Sequence, residues 1–331
     1  MKERWAVGVD LGGTKLVVAG VDGGGEIRDS LRMPTKVEEG VPAVERDIVE
    51  AVRVLTERAG TPALGVGIGI AGQIDGQSGT VRFAPNLNWR EVPLRADLEE
   101  ALEMAVVVTN DVRAATWGEW LHGAGRGYDD LICLYVGTGI GGGIVSGGRM
   151  VSGCTNTAGE IGHLTVDIDG PPCTCGNRGC LEALAGGWAI ARQAQEMIDR
   201  NPEAGRTLLA GAGGVREAVS AETVAIAAHG GDGLSLRLLD DAGRALTAGC
   251  VSLVNTFNPC MLILGGGVID GLPEMIDTVR RGVAQNALAA ATSSLRIVPA
   301  ALGPSAGVVG AAGLVTRGFG ADKEVLSGGR G

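Results

Sequence analysis

Three features of the sequence predict two α/β lobes with a cleft between them. The chain is 331 residues long, too long for one ordinary core and suited to two domains of roughly 150 residues each. Two segments repeat one design. VGVDLGGTKLVVAGVDGGG from Val7 and LYVGTGIGGGIVSGG from Leu134 each read as an apolar strand, a glycine turn and a second apolar strand, a hairpin with an open tip. Each hairpin is followed by alternating helical and strand patterns, as α/β lobes require.

After the first hairpin, EEGVPAVERDIVEAVRVLTERAG predicts a helix, ALGVGIGIAG a buried strand, and AVVVTNDVRAATWGEWLHGA a strand running into a helix. After the second come a cysteine cluster, a helix from about Leu181 to Ile198, further helical segments, and a helix through Ala245 to Asn255 leading into the strand MLILGGG. LGPSAGVVGAAGLVTRG begins at a glycine-rich turn and continues as a helix able to return to the first lobe. The expected division is a smaller lobe of residues 1–122, completed by about 303–331, and a larger lobe of residues 123–302.

Hydrophobic residues make up 45% and charged residues 20%, enough to bury a core and unlike a disordered chain. The 57 glycines are interleaved with Val, Ile and Leu, so they are not a flexible linker. A net charge of −10 and a pI near 4.9 argue against nucleic acid or an anionic membrane as partner. MKERWAVGVD enters a strand within a few residues, so neither a signal peptide nor a DNA-binding module is expected ahead of it, and the expected location is cytoplasmic. Two uncharged stretches, Ala245 to Ile269 and Ile297 to Thr316, are broken by proline and glycine and are read as buried passages, not membrane spans. Of seven cysteines, Cys133, Cys154, Cys250 and Cys260 are scattered through apolar segments, where disulfides are not expected.

GTGIGG from Gly137 matches the dinucleotide fingerprint GxGxxG, but a strand follows it where that fingerprint needs a helix, which excludes the Rossmann reading. A Walker A loop is excluded too, since the chain has no Gly-Lys dipeptide. Two glycine-tipped hairpins remain, each able to turn backbone N–H groups toward phosphate oxygens, with Thr14 and Thr138 adding hydroxyls. The plainer alternative is a pair of tight turns in which glycine supplies φ > 0. Asp10 ends the first strand, where a carboxylate beside phosphates calls for a cation, and Mg²⁺ is the natural one.

In VVVTNDVRAATWGEW the strand ends at Thr109 and a helix begins within a residue or two, so Asn110 and Asp111 fall where open α/β sheets bind ligands. Asp111 is either a helix N-cap or a general base taking a proton from a substrate hydroxyl. His163, Cys173, Cys175 and Cys180 are four ligands of the kinds that tetrahedral Zn²⁺ prefers. Four protein ligands leave no open position, so the zinc is expected to be structural and the chemistry to lie elsewhere. Glu160, three residues before His163, and Glu182, two after Cys180, would be fixed along with the metal and are suited to accepting hydrogen bonds from a polyhydroxyl substrate. Otherwise they are solvated surface glutamates.

Together DLGGTK (Asp10 to Lys15), PNLNW (Pro85 to Trp89), Asn110-Asp111, GTGIGGG (Gly137 to Gly143), AGEIGH (Ala158 to His163), CTCGNRGCLE (Cys173 to Glu182) and LGGGV (Leu264 to Val268) resemble the ROK family of sugar kinases and sugar-responsive repressors, most closely its glucokinase members. The resemblance runs from about Val7 to Ala312. It implies the two-lobed actin-like, ribonuclease H-like ATPase fold with a structural zinc site, ATP and Mg²⁺ as cofactors, sugar and nucleotide as small-molecule partners, and a homodimer or homotetramer.

By position, Asp111 resembles the catalytic base that acts on the sugar 6-hydroxyl. Asn86, Asn110, Asp111, Glu160, His163 and Glu182 resemble the sugar-holding residues, with His163 also bound to zinc. Asp10, Gly12, Gly13, Thr14 and Lys15 look like the first phosphate and Mg²⁺ loop, Gly137, Thr138 and Gly139 like the second, and Gly265 and Gly266 like the floor of the nucleotide site. Arg113, Asn156, Thr157 and Cys260 depart from the family pattern. The implied activity is phosphorylation of glucose. N-acetylmannosamine or N-acetylglucosamine kinase is the near alternative, and a sugar-sensing repressor the alternative of another class, disfavoured because only four residues precede the first strand.

Overall fold

Glycine alternates with Val and Ile in two strands, and the reason is a helix laid directly on them. In the computed structural model, which describes residues 4–317, β1 (Trp5–Leu11), β2 (Lys15–Asp22) and β3 (Ile27–Pro34) form an antiparallel run, with Trp5 opposite Asp22 and Leu11 opposite Leu16. After α1 (Val41–Ala59) comes β4 (Val66–Ile70), parallel to β1. Three short strands, β5 (Gln73–Ile74), β6 (Val81–Ala84) and β7 (Trp89–Val92), make a separate sheet. Next are α2 (Leu94–Leu102), β8 (Val106–Asn110), which is parallel to β4, and α3 (Asp111–His122).

The chain continues through β9 (Leu131–Val136), β10 (Ile140–Ser146) and β11 (Arg149–Met150), then α4 (Leu181–Ala185), α5 (Gly187–Arg200), α6 (Arg206–Gly211), α7 (Ala221–His229) and α8 (Gly233–Phe257). It closes with β12 (Met261–Gly265), α9 (Gly267–Gly271), α10 (Glu274–Asn286), α11 (Ala289–Thr292), β13 (Arg296–Pro299) and α12 (Ala306–Arg317). The described residues form two compact units, 4–131 with 143–159 and 300–317, and 132–142 with 160–299. Residues 318–331, expected to help complete the first lobe, lie outside the described residues.

In the first unit the strands run β3-β2-β1-β4-β8. One face of β1 sends Val7, Val9 and Leu11 into a core with Val44, Ile48, Val52 and Leu55 of α1, which recur at helical spacing. That helix ends at Gly60, in the left-handed conformation at φ 63°. The other face packs Ala6, Ala19 and Val21 against Val308, Val309 and Ala312 of α12. A Cβ at Gly8 would lie 1.9 Å from the Val308 carbonyl oxygen, and one at Gly67 would lie 1.7 Å from that of Ala311. The glycines let the α12 backbone rest on the sheet.

The second sheet runs β11-β10-β9-β12-β13, with β12 and β13 parallel. Counted along the chain, both five-stranded sheets have the order third, second, first, fourth, fifth. The helix expected from Leu181 to Ile198 is instead two, broken at Gly186, which is extended at φ −68°, ψ 153°. The physical reason is a competing set of acceptors. The Gly187 and Trp188 N–H groups, unpaired donors at the start of α5, go to the carbonyls of Gly137 and Thr138, each at 2.9 Å. The small β5–β7 sheet is not among the sequence expectations. No helix among the described residues is long and apolar enough to cross a membrane.

Candidate functional site

In the first unit β8 ends at Asn110 and α3 starts at Asp111. The capping role falls to Asn110, not Asp111: the Asn110 Oδ1 accepts from the N–H groups of Val112 (3.0 Å) and Arg113 (3.2 Å). Its Nδ2 donates to the Gly72 carbonyl at 3.3 Å. Asp111 is thereby left as the first helical residue at the C-terminal end of a parallel strand. A Cβ at Gly69 would lie 3.3 Å from the Asp111 Cα, so this turn of α3 sits directly on β4.

The tip of the β1–β2 hairpin is pinned by Gly12 N–H to Lys15 carbonyl (3.0 Å), Thr35 N–H to Thr14 carbonyl (3.2 Å) and Thr35 Oγ1 to Gly12 carbonyl (2.7 Å). Gly13 lies against Asn86, where a Cβ would come within 2.7 Å of the Asn86 carbonyl oxygen. The structure therefore joins Asn86 to the first glycine loop, with Thr14 exposed. None of Gly12, Gly13, Gly137 and Gly139 has positive φ, so the tight-turn account does not explain them.

Asp10 is half-buried, and burial raises its carboxyl above the usual carboxylate range, with the Lys15 charge partly offsetting this. An added Cβ at Gly307 would press on its carboxylate at 3.1–3.3 Å. The start of α12, a partial positive charge, thus faces Asp10. Gly307 is a neighbour of the candidate residue Asp10 that sequence reasoning missed, and the turn LGPSAG was its signal. A half-buried carboxylate beside an N–H-rich hairpin tip fits a hard divalent cation such as Mg²⁺.

In the second unit, Gly137 N–H bonds the Gly139 carbonyl at 2.9 Å. The Glu182 carboxylate braces this loop, with Oε2 accepting from Ile140 N–H at 2.7 Å and Oε1 from Trp188 Nε1 at 3.3 Å. Trp188 is a second missed residue. Gly266, at φ 92°, sits where a Cβ would meet the Val136 carbonyl oxygen at 2.6 Å, which brings it, with Gly265 before it at the end of β12, beside the start of the second loop. Glu160 is exposed just ahead of the short turn Ile161–His163.

The ligand atoms of His163, Cys173, Cys175 and Cys180 all lie within 4.8 Å of one another. Cys173 Sγ is 3.8 Å from His163 Nδ1, and Cys175 Sγ is 3.7 Å from Cys180 Sγ. A tetrahedron of sulfurs 2.3 Å from zinc has edges of about 3.8 Å, so the donor set fits Zn²⁺. Burial, then the neighbouring sulfurs, push the Cys180 thiol up to about 12, a cost that a bound cation would relieve.

Two departures from the family pattern prove to be partners. Buried Arg113 donates from Nη1 to the Asn156 carbonyl at 2.8 Å and to its Oδ1, and from Nη2 to Ser152 Oγ at 2.8 Å.

Among known proteins the chain is 36% identical to a glucokinase of Streptomyces coelicolor, over 93% of this chain and 96% of that one. It is 29% identical to a xylose repressor of Bacillus subtilis, over 95% of this chain and 77% of the repressor. Its fold matches the crystal structure of a ROK family glucokinase from Streptomyces griseus in complex with glucose and AMPPNP, with a TM-score of 0.79, 36% identity, and coverage of 94% of this chain and 98% of that one. The ROK family model matches residues 6–318, nearly the whole chain, and the protein belongs to the ROK family.

Proposed function

We propose that the chain is an ATP-dependent hexose kinase of glucokinase type, transferring the γ-phosphoryl group of ATP to the 6-hydroxyl of glucose. The observation that carries this reading is the Asn110–Asp111 junction: Asn110 takes over the capping and leaves Asp111 at a ligand-binding strand end. The 36% identity to the S. coelicolor glucokinase across 93% of the chain supports it.

In this mechanism the Asp111 carboxylate takes the proton of the 6-hydroxyl as that oxygen attacks the γ-phosphorus. A new O–P bond forms, the bond from phosphorus to the ADP oxygen breaks, and the proton leaves through Asp111. Asn86, Asn110, Glu160, His163 and Glu182 hold the sugar hydroxyls. Asn110 has a second Nδ2 proton beyond the one given to Gly72, and each Glu182 oxygen retains a lone pair for a hydroxyl donor. Gly13, Thr14 and Lys15, with Thr138 and Gly139, turn donors toward the phosphates, Gly12 and Gly137 shape the two loops through their own N–H bonds, Asp10 serves the cation, and Gly265 and Gly266 floor the nucleotide site. Mg²⁺, held near Asp10, supplies neutralisation of the phosphate charge. Zn²⁺, held by His163, Cys173, Cys175 and Cys180, supplies rigidity alone.

Coupled ADP release with ATP and Mg²⁺ across glucose, mannose, fructose, N-acetylmannosamine and N-acetylglucosamine tests the reading. Glucose is expected to give the highest kcat/KM, and preference for an N-acetylhexosamine or no turnover on any sugar overturns it. Asp111→Asn should lower kcat on the order of 10³-fold or more while glucose still binds. Near-normal turnover in that variant removes Asp111 from the role.

A further inference from the structure

Arg113 is 3% exposed, and a guanidinium so deeply buried is stable only where fixed acceptors meet its donors. Three of its acceptors lie on one loop. Asn156 provides its carbonyl and Oδ1, and Ser152 its hydroxyl. The loop is closed on itself by Ala158 N–H to the Ser152 carbonyl at 3.1 Å. Asn156 adopts φ 62°, a left-handed conformation that asparagine tolerates and glycine prefers. Its side chain continues the chain of bonds, with Nδ2 donating to the Ile74 carbonyl at 3.0 Å.

Ile74 belongs to β5, which pairs with β6, Ile74 opposite Val81, and β6 runs into the turn that carries Asn86. Two residues before Ile74, the Gly72 carbonyl takes the Asn110 amide. The Gly72–Ile74 segment is thus held at one end by the residue preceding Asp111 and at the other by Asn156, itself gripped by Arg113 in the first turn of the same helix. The first glycine loop touches the Asn86 turn at Gly13 but also has ties of its own, through Thr35 and the Lys15 carbonyl.

We propose that Arg113 is a positioning residue for sugar: through Asn156 it braces loop 152–158 and the Ile74 backbone against the turn of α3 that bears Asp111, fixing Asn86, Asn110 and Asp111 relative to one another. The inference rests on the hexose-kinase reading. Asn156→Gly removes the side-chain links yet suits the left-handed backbone and keeps the Asn156 carbonyl for Arg113, so the variant should still fold, melting a few degrees below the parent for the lost hydrogen bonds. It should raise the glucose KM at least fivefold and change the ATP KM less than twofold. Arg113→Met should do the same, Arg113→Lys should recover part of the loss, and adding Asn156→Gly to Arg113→Met should cost nothing more, because both cut one linkage.

A well-folded Asn156→Gly with unchanged glucose KM overturns the proposal. So do glucose and ATP KM values that rise together, or effects of the two substitutions that simply multiply. Failure of the underlying reading looks different, since the parent protein then phosphorylates no hexose.

Discussion

Gly139 has no side chain because Glu182 uses the space: a Cβ there would lie 2.3 Å from Glu182 Oε2. Gly139→Ala is expected to displace that carboxylate, break its bond to Ile140 N–H and raise the ATP KM about tenfold, the scale of one lost hydrogen bond to a charged group. An ATP titration at saturating glucose measures it, and an unchanged KM removes Glu182 as the brace of this loop. The glycine was legible in the sequence, but its reason was not. The open tips suggested N–H groups turned toward phosphates, or else tight turns at φ > 0, whereas at Gly139 the space is also filled by a glutamate more than forty positions away. Arg113 and Asn156 show the same limit, each visible as a departure while their pairing is a tertiary fact. Sequence spacing alone did suffice for His163, Cys173, Cys175 and Cys180, whose residue types are themselves the signal.

Among the elements, long periodic ones were readable and short ones were not. The helix α1 and the strands β1, β4 and β12 follow from apolar spacing, whereas β5, β6 and β7, two to four residues each, are too short to carry a period. The break between α4 and α5 was hidden because helix propensity says nothing of the Gly137 and Thr138 carbonyls that draw α5 away.

The pair α1 and α2 carries a further consequence. They line a groove of about 630 Å³ in which Glu45 faces Asp97, with Arg46, Glu50 and Arg53 alongside. Burial, then the Asp97 charge, raises the Glu45 carboxyl from 4.5 to about 7. The folded state therefore holds this proton at pH values where the unfolded chain has lost it. The stabilisation is complete below about 4.5 and is lost as pH rises toward about 7. Glu45→Gln should melt about 2 °C or more above the parent at pH 8 and level with it at pH 4.5. A difference that does not vary with pH refutes the account.

For the whole molecule, both five-stranded sheets use one strand order, so two copies of a single hairpin-first plan underlie the chain. The two glycine hairpins were the legible trace of that plan. The docking of α12 on β1, some 300 residues earlier, was legible only as an expectation, because what secures it is the missing Cβ at Gly8 and Gly67. The metal belongs to this scale too. Metal analysis should find one zinc ion per chain, and a chelator that strips it should lower both the melting temperature and the affinity for glucose. Zinc loss with both unchanged contradicts a structural role.

Cys180, a ligand of that site, immediately precedes α4, and two residues on Glu182 grips Ile140 at the end of the second glycine loop. If a metal held by Cys180 orders the loop that Glu182 grips, the two are linked quantities, and linkage is reciprocal. Whatever factor zinc adds to the affinity of that loop for a nucleotide, the nucleotide must add to the affinity for zinc. A working kinase, saturated with ATP, would surrender its metal to a competing chelator more reluctantly than an idle one.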